Sequence, residues 1–158
     1  MKHFQHLIFS VLLLVLSGKQ IHADSEDPGL AGIEGSVIFF YYDQLEDVAP
    51  FYAEILGLPL SMDEDWVKIF RITATSSVGL VQQGRGFHEV SADKPAMLSM
   101  VVDNVDAWYE RLQSAGVRIL KPLPAADTDV AAGAAPVRGF IAEDPGGYTI
   151  EFFTWRKD

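Results

Sequence analysis

The chain repeats itself. Residues 37–57, VIFFYYDQLEDVAPFYAEILG, and residues 97–116, MLSMVVDNVDAWYERLQSAG, carry one pattern sixty positions apart. In the first copy an apolar run ends at Asp43, and apolar residues follow at Leu45, Val48, Tyr52 and Ile55. In the second, Asp103 ends the run and Val105, Trp108, Leu112 and Ala115 fall at the same offsets. Spacings of three and four put each set on one face of a helix. Each helix then meets a glycine, Gly57 or Gly116, the residue that most cheaply takes the left-handed cap conformation. A strand, a short turn and an amphipathic helix, written twice, leave few folds open to the chain.

The remaining strands extend the repeat. After Gly57, residues 58–62, 66–73 and 78–82 have strand character, separated by the acidic Asp63-Glu64-Asp65 and the small polar Thr75-Ser76-Ser77. After Gly116, residues 118–121, 137–142 and 148–155 do the same, with the tight turn Asp144-Pro145-Gly146-Gly147 before the last strand. The expected class is α+β: two βαβββ modules, residues 36–86 and 96–156, joined by a polar connector at 87–95. The first strand is apolar throughout, which predicts burial on both faces, one against the helix and the other against a second buried region. Pro50 is tolerated only near a helix start, so Asp47 is the expected N-cap. Residues 123–136, LPAADTDVAAGAAP, lack periodicity and are expected to form either a loop over a pocket mouth or a disordered flap.

The N-terminus lies outside this pattern. Lys2, His3 and His6 precede the apolar run 7–16, and Ile21-His22-Ala23 supplies small or aliphatic residues of the kind a signal peptidase reads. A run of about ten residues is half of what spans a bilayer. Residues 1–23 are therefore expected to be a signal peptide, 24–35 a flexible linker and 36–158 one exported domain, secreted or periplasmic, with no membrane contact after cleavage. Removing Lys2 and Lys19, with no acid before Asp24, moves the formal charge from −10 to −12. Such a surface excludes nucleic acid as a partner, because binding it requires basic residues that displace counterions. The chain has no cysteine, so disulfides and thiol chemistry are excluded too.

With these segments in order, the chain resembles the vicinal-oxygen-chelate superfamily of glyoxalases, bleomycin-resistance proteins and extradiol dioxygenases. The resemblance rests on FYAEILGL at 51–58, VVDNVDAWYERLQSAGV at 101–117 and EDPGGYTIEFF at 143–153. It implies two modules whose sheets curl around a cavity and pair within or between chains, so a homodimer is one expected assembly. In metal-dependent members, four cavity-facing positions carry His or Glu. The resemblance places these at Val37, Gly79, Met97 and Glu151, of which only Glu151 can be a ligand. The composition agrees independently: once His3, His6 and His22 leave with the signal, His88 alone remains, whereas a catalytic transition metal draws two or three His or Cys ligands. Neither a metal nor another cofactor is expected.

Strand alternation puts Phe39, Tyr41 and Phe153 on the inner wall with Val37 and Glu151, and the resemblance adds Met97. Arg71 and Arg138, each amid strand residues, could hold a carboxylate through paired hydrogen bonds. Phe140 completes the expected ligand-binding set: Phe39, Tyr41, Arg71, Met97, Arg138, Phe140, Glu151 and Phe153. Three readings stand for Glu151: contact with a cationic or hydrogen-bonding group of a ligand, action as a base in a metal-free reaction, or retention by an internal arginine, Arg71 or Arg138. No catalytic residue is assigned. The function read from the sequence is binding of a small apolar or cationic molecule in a metal-free cavity. The enzyme alternative is a lyase, isomerase or dioxygenase of the glyoxalase type, and a third reading is a dimerising scaffold whose aromatics fill the cavity.

Overall fold

A computed structural model describes residues 32–126 and 136–156, within a compact unit that spans Ile33–Asp158. The expected signal, most of the linker and the middle of the 123–136 loop lie outside the described residues. The first module contains β1 (Ser36–Tyr42), α1 (Leu45–Pro50), β2 (Leu60–Asp63), β3 (Val67–Arg71) and β4 (Ser76–Gln82). The second contains β5 (Met97–Val101), α2 (Val105–Ser114), β6 (Ile119–Lys121), β7 (Val137–Glu143) and β8 (Thr149–Trp155). The two sheets have one topology, β1-β4-β3-β2 and β5-β8-β7-β6, in which the first strand of each module is an edge and runs parallel to the last. The α+β duplication is therefore physical as well as textual.

The helices explain why one face of each sheet is apolar. Leu45, Val48 and Tyr52 from the first helix and Val105 and Leu112 from α2 are buried against Phe40, Tyr42, Phe70, Leu80, Phe140, Ile150 and Phe152. These residues belong to one core that spans both modules. Aromatic stacking joins them, with Phe140 on Phe152 at 5.0 Å and Phe40 on Tyr148 at 4.0 Å. Each such side chain contributes about 1.5–3 kcal/mol relative to exposure.

Two expectations are corrected. The first helix begins at Leu45, capped by Gln44, and not after Asp47. Pro50 sits at its sixth residue, where the missing N–H breaks the regular ladder, and the chain widens into a π-helical turn over Phe51–Ile55. The widened turn closes through Leu56 N–H to Phe51 O at 2.9 Å and Leu58 N–H to Tyr52 O at 3.0 Å, around Gly57 at φ 70°. α2, without a proline, closes one residue sooner, Val117 N–H to Leu112 O at 3.0 Å around Gly116 at φ 72°. The second correction concerns β1. Phe40 and Tyr42 are buried, but Val37 and Phe39 on the other face remain 43% and 45% exposed. That face has no helix behind it and forms part of an open wall.

β1 and β5 are the edge strands of the two sheets. The start of β1 shares a cavity with residues 98–101 of β5, while its far end meets Tyr148, one residue before the strand start that pairs with Met97. These contacts form the seam between the modules.

Candidate functional site

The sheet register defines the equivalent positions on the open wall. In module one Val37 pairs with Ser77 and Phe39 with Gly79; in module two Met97 pairs with Thr149 and Ser99 with Glu151. Gly79 and Glu151 are thus the same position in the two copies, two residues along from the Val37 and Met97 pairs. Their surroundings differ. A Cβ on Gly79 would lie 2.4 Å from two ring atoms of Phe39, so the phenyl ring occupies the space a side chain there would need. In module two the space is polar: Ser99 Oγ donates to Glu151 Oε2 at 2.6 Å.

Five of the eight expected site residues, Phe39, Tyr41, Met97, Glu151 and Phe153, alternate with buried positions on β1, β5 and β8 and so face the open side. Arg71, the exposed last residue of β3, lies on the same side as its register partner Ser77. The other two are corrected. Phe140 is fully buried among Phe152 and Tyr109 in the helix-side core. Arg138 sits on that same side, where its guanidinium grips Asp106 of α2 at 2.7 and 2.8 Å and the Pro124 carbonyl at 2.9 Å. These hydrogen bonds hold the Asp106 carboxyl below its usual range and raise the arginine further above its own. Arg138 therefore does not reach Glu151, whose partner is Ser99. Strand parity would have separated 138 and 140 from 137, 139 and 141; the arginine's chemistry outweighed its place in the alternation.

Between the modules a cavity of about 440 Å³ is lined by Val37, Ile38 and Ile72 on one side and Leu98 to Val101 on the other, with the hydroxyls of Ser36, Thr73, Ser76, Ser77 and Ser99 at intervals. An apolar wall with a few polar points is the usual make-up of a small-molecule site. Ser99 connects this cavity to Glu151 and was missed in the sequence, where only its register opposite Glu151 would have given it away.

One buried charge holds the seam together. Asp144 is 3% exposed and is the first residue of the Asp-Pro-Gly turn. Its Oδ2 accepts from the hydroxyls of Tyr42 at 2.5 Å and Tyr52 at 2.7 Å, and its Oδ1 accepts from the amides of Gly146 at 3.0 Å and Tyr148 at 2.8 Å. Tyr42 and Tyr52 also meet hydroxyl to hydroxyl at 2.9 Å. Burial above all, then the adjoining Tyr52 and Asp144, pushes the Tyr42 phenol far above its ordinary value, and burial followed by the Asp144 charge does the same to Tyr52. Both remain donors. The turn of module two is thus fixed to the first strand and helix of module one.

The donor set does not fit a catalytic metal. Val37 and Gly79 offer no side-chain ligand atom and Met97 only a soft thioether, and among the described residues no three His, Cys, Asp or Glu side chains converge. His88 is exposed on the connector, edge-on to Tyr41 at 5.5 Å between ring centroids.

Residues 36–152 match the family model of the Glyoxalase/Bleomycin resistance protein/Dioxygenase superfamily. Among solved structures, a glyoxalase/bleomycin resistance protein/dioxygenase from Nocardioides superposes with a TM-score of 0.61 at 19% identity, over 81% of this chain and 85% of the other. TioX from Micromonospora sp. ML1 gives 0.58 at 17% identity, over 77% and 98%. A lactoylglutathione lyase from Agrobacterium tumefaciens gives 0.58 at 15% identity, over 75% and 90%. At these identities the likeness is one of fold. No curated protein matches in sequence.

Proposed function

We propose, from the premise that this chain belongs to the Glyoxalase/Bleomycin resistance protein/Dioxygenase superfamily, that it is an exported binding protein that takes up a small, largely apolar molecule at the seam of its two modules without a metal ion. The observation that carries this reading is the cavity of about 440 Å³ between β1 and β5, apolar in its walls and connected through Ser99 to Glu151. Three of the four positions where relatives would hold a metal carry Val37, Gly79 and Met97, so the wall offers contact area in place of Lewis-acid chemistry. Glu151 gives the ligand one anionic or hydrogen-bonding point, suited to a cationic or donor group. The basic, apolar and small-residue segments before Asp24 support export.

The test is native mass spectrometry of the protein purified from the exported fraction, beside Glu151→Gln. A small organic molecule retained at one per chain, and lost or weakened in Glu151→Gln, is the expected result. A stoichiometric transition metal that leaves with the Glu151 carboxylate overturns the reading in favour of a lyase or dioxygenase.

A further inference from the structure

A second cavity, of about 410 Å³, lies at the other end of β1. Its walls are Phe39 and Tyr41 of β1, Tyr148, and the connector from His88 to Ala96; with the seam cavity it shares Ile38 alone among their lining residues. The connector is therefore more than a tether between modules. It closes one side of an aromatic-walled space.

The feature that selects a ligand is Lys94. This side chain is half-buried, its ammonium 4.8 Å above the Tyr148 ring and in one long contact, 3.4 Å, with the Tyr41 carbonyl. Four acids line the two cavities that Lys94 borders: Asp43 and Asp47 on a smaller one, Glu89 and Asp93 on this one. None of them forms an ion pair with it among the described residues, and Glu89 is engaged by the Gln83 amide at 2.5 Å. An ammonium carries three donors, and one taken partly out of water without an anion is costly. Ring faces beside it and an ammonium with donors to spare beyond the Tyr41 carbonyl describe the two halves of one ligand class.

We propose that this cavity is a separate binding site for a small planar aromatic anion, such as an arylcarboxylate. Its ring packs against Phe39 and Tyr41, its carboxylate meets Lys94, and His88 stands at the mouth. The acids oppose this, Glu89 and Asp93 on the rim most directly, but at physiological salt fields between exposed charges fade over about 8 Å, and Lys94 is the one lysine or arginine among the described lining residues.

Benzoate, with benzylamine and benzyl alcohol as isosteric controls, is titrated into the full mature chain while the His88 imidazole resonance is followed by NMR, identified through His88→Gln. Benzoate is expected to move that resonance saturably and to bind at least tenfold more tightly than either control. Lys94→Gln should lose tenfold or more and Lys94→Arg should keep most of the affinity. Phe39→Ala, at an exposed position, should weaken binding severalfold, and it decides the matter if Lys94→Gln does not fold. Equal binding of the three probes, unchanged benzoate affinity in the folded variants, or no movement of His88 at millimolar benzoate overturns the proposal. Because the two cavities are separate, none of these outcomes bears on Glu151 and the seam.

Discussion

Replacing Asp144 by alanine removes an acceptor that serves four donors at the junction of the modules. The donors do not all suffer equally. Tyr42 and Tyr52 already meet at 2.9 Å and can satisfy one hydroxyl between them, and the Gly146 amide, in a half-buried turn, can turn to water. That leaves one buried phenol and the Tyr148 amide without a partner, at about 1–3 kcal/mol each. The expected loss is about 3–4 kcal/mol, a large share of the roughly 5–15 kcal/mol that holds a domain together. For a unit of this size it corresponds to a fall in Tm of about 10–15 °C. Asp144→Asn keeps an oxygen for the two amides and turns its NH2 to phenols that can rotate to accept, so about half the loss is expected. Urea titration of both variants, and of each combined with Tyr52→Phe, measures the stability and the coupling. A cost below about 1 kcal/mol for Asp144→Ala, or additivity with Tyr52→Phe within about 0.3–0.5 kcal/mol, would refute the clasp.

Two further outcomes follow from the same geometry. Tyr42 and Tyr52 have folded-state pKa values above their unfolded value of 10.0, so above that pH the unfolded chain has released protons that the fold retains. Their contribution is complete below about pH 10 and is lost as pH rises, at up to about 1.4 kcal/mol per pH unit for each phenol. Absorbance at the phenolate band should show these two of the five tyrosines ionising only with unfolding. Separately, Arg138→Leu should leave any ligand affinity within twofold and lower Tm by a few degrees, because the Arg138 side chain ties β7 to α2 and is absent from the open wall. Calorimetry with a binding titration checks both halves, and a large affinity change would return Arg138 to the site.

Much of the architecture was legible because each module states it in local terms. The offsets after Asp43 and Asp103, and the glycines that end both helices, are short-range features, and the structure has them at Leu45, Val105, Gly57 and Gly116. What failed depended on long-range pairing or on a local conflict. The π-helical turn arises because Pro50 falls inside a face that Leu45, Val48 and Tyr52 must still bury, and packing prevails over the ladder. The role of Asp144 could not be read from a turn motif, since its partners stand 92 and 102 residues away. Arg138 was placed by its charge, although its position in β7 alternates with Gly139 and puts it with the helix-facing residues.

The open wall departs from twofold symmetry at one coupled pair. Phe39 can lie across Gly79 only because residue 79 has no Cβ, and any side chain at 79 would expel the ring. The corresponding pair in module two, Ser99 and Glu151, makes a hydrogen bond and leaves no room for an aromatic ring on the serine side. Duplication therefore supplies two copies of one position, with opposite solvation: a phenyl ring in the first and a carboxylate in the second. On the proposed binding role, this asymmetry orients the guest. Its apolar part lies toward Val37 and Ile72 and its donor group toward Ser99 and Glu151, and reversal would strip water from Glu151 and leave Ser99 as its one hydrogen-bond partner, at a cost for an ionised group. Gly79→Ala is expected to expel the Phe39 ring and so to alter the second cavity, which Phe39 lines, while ligand affinity at the seam, where neither residue is a lining residue, stays within twofold.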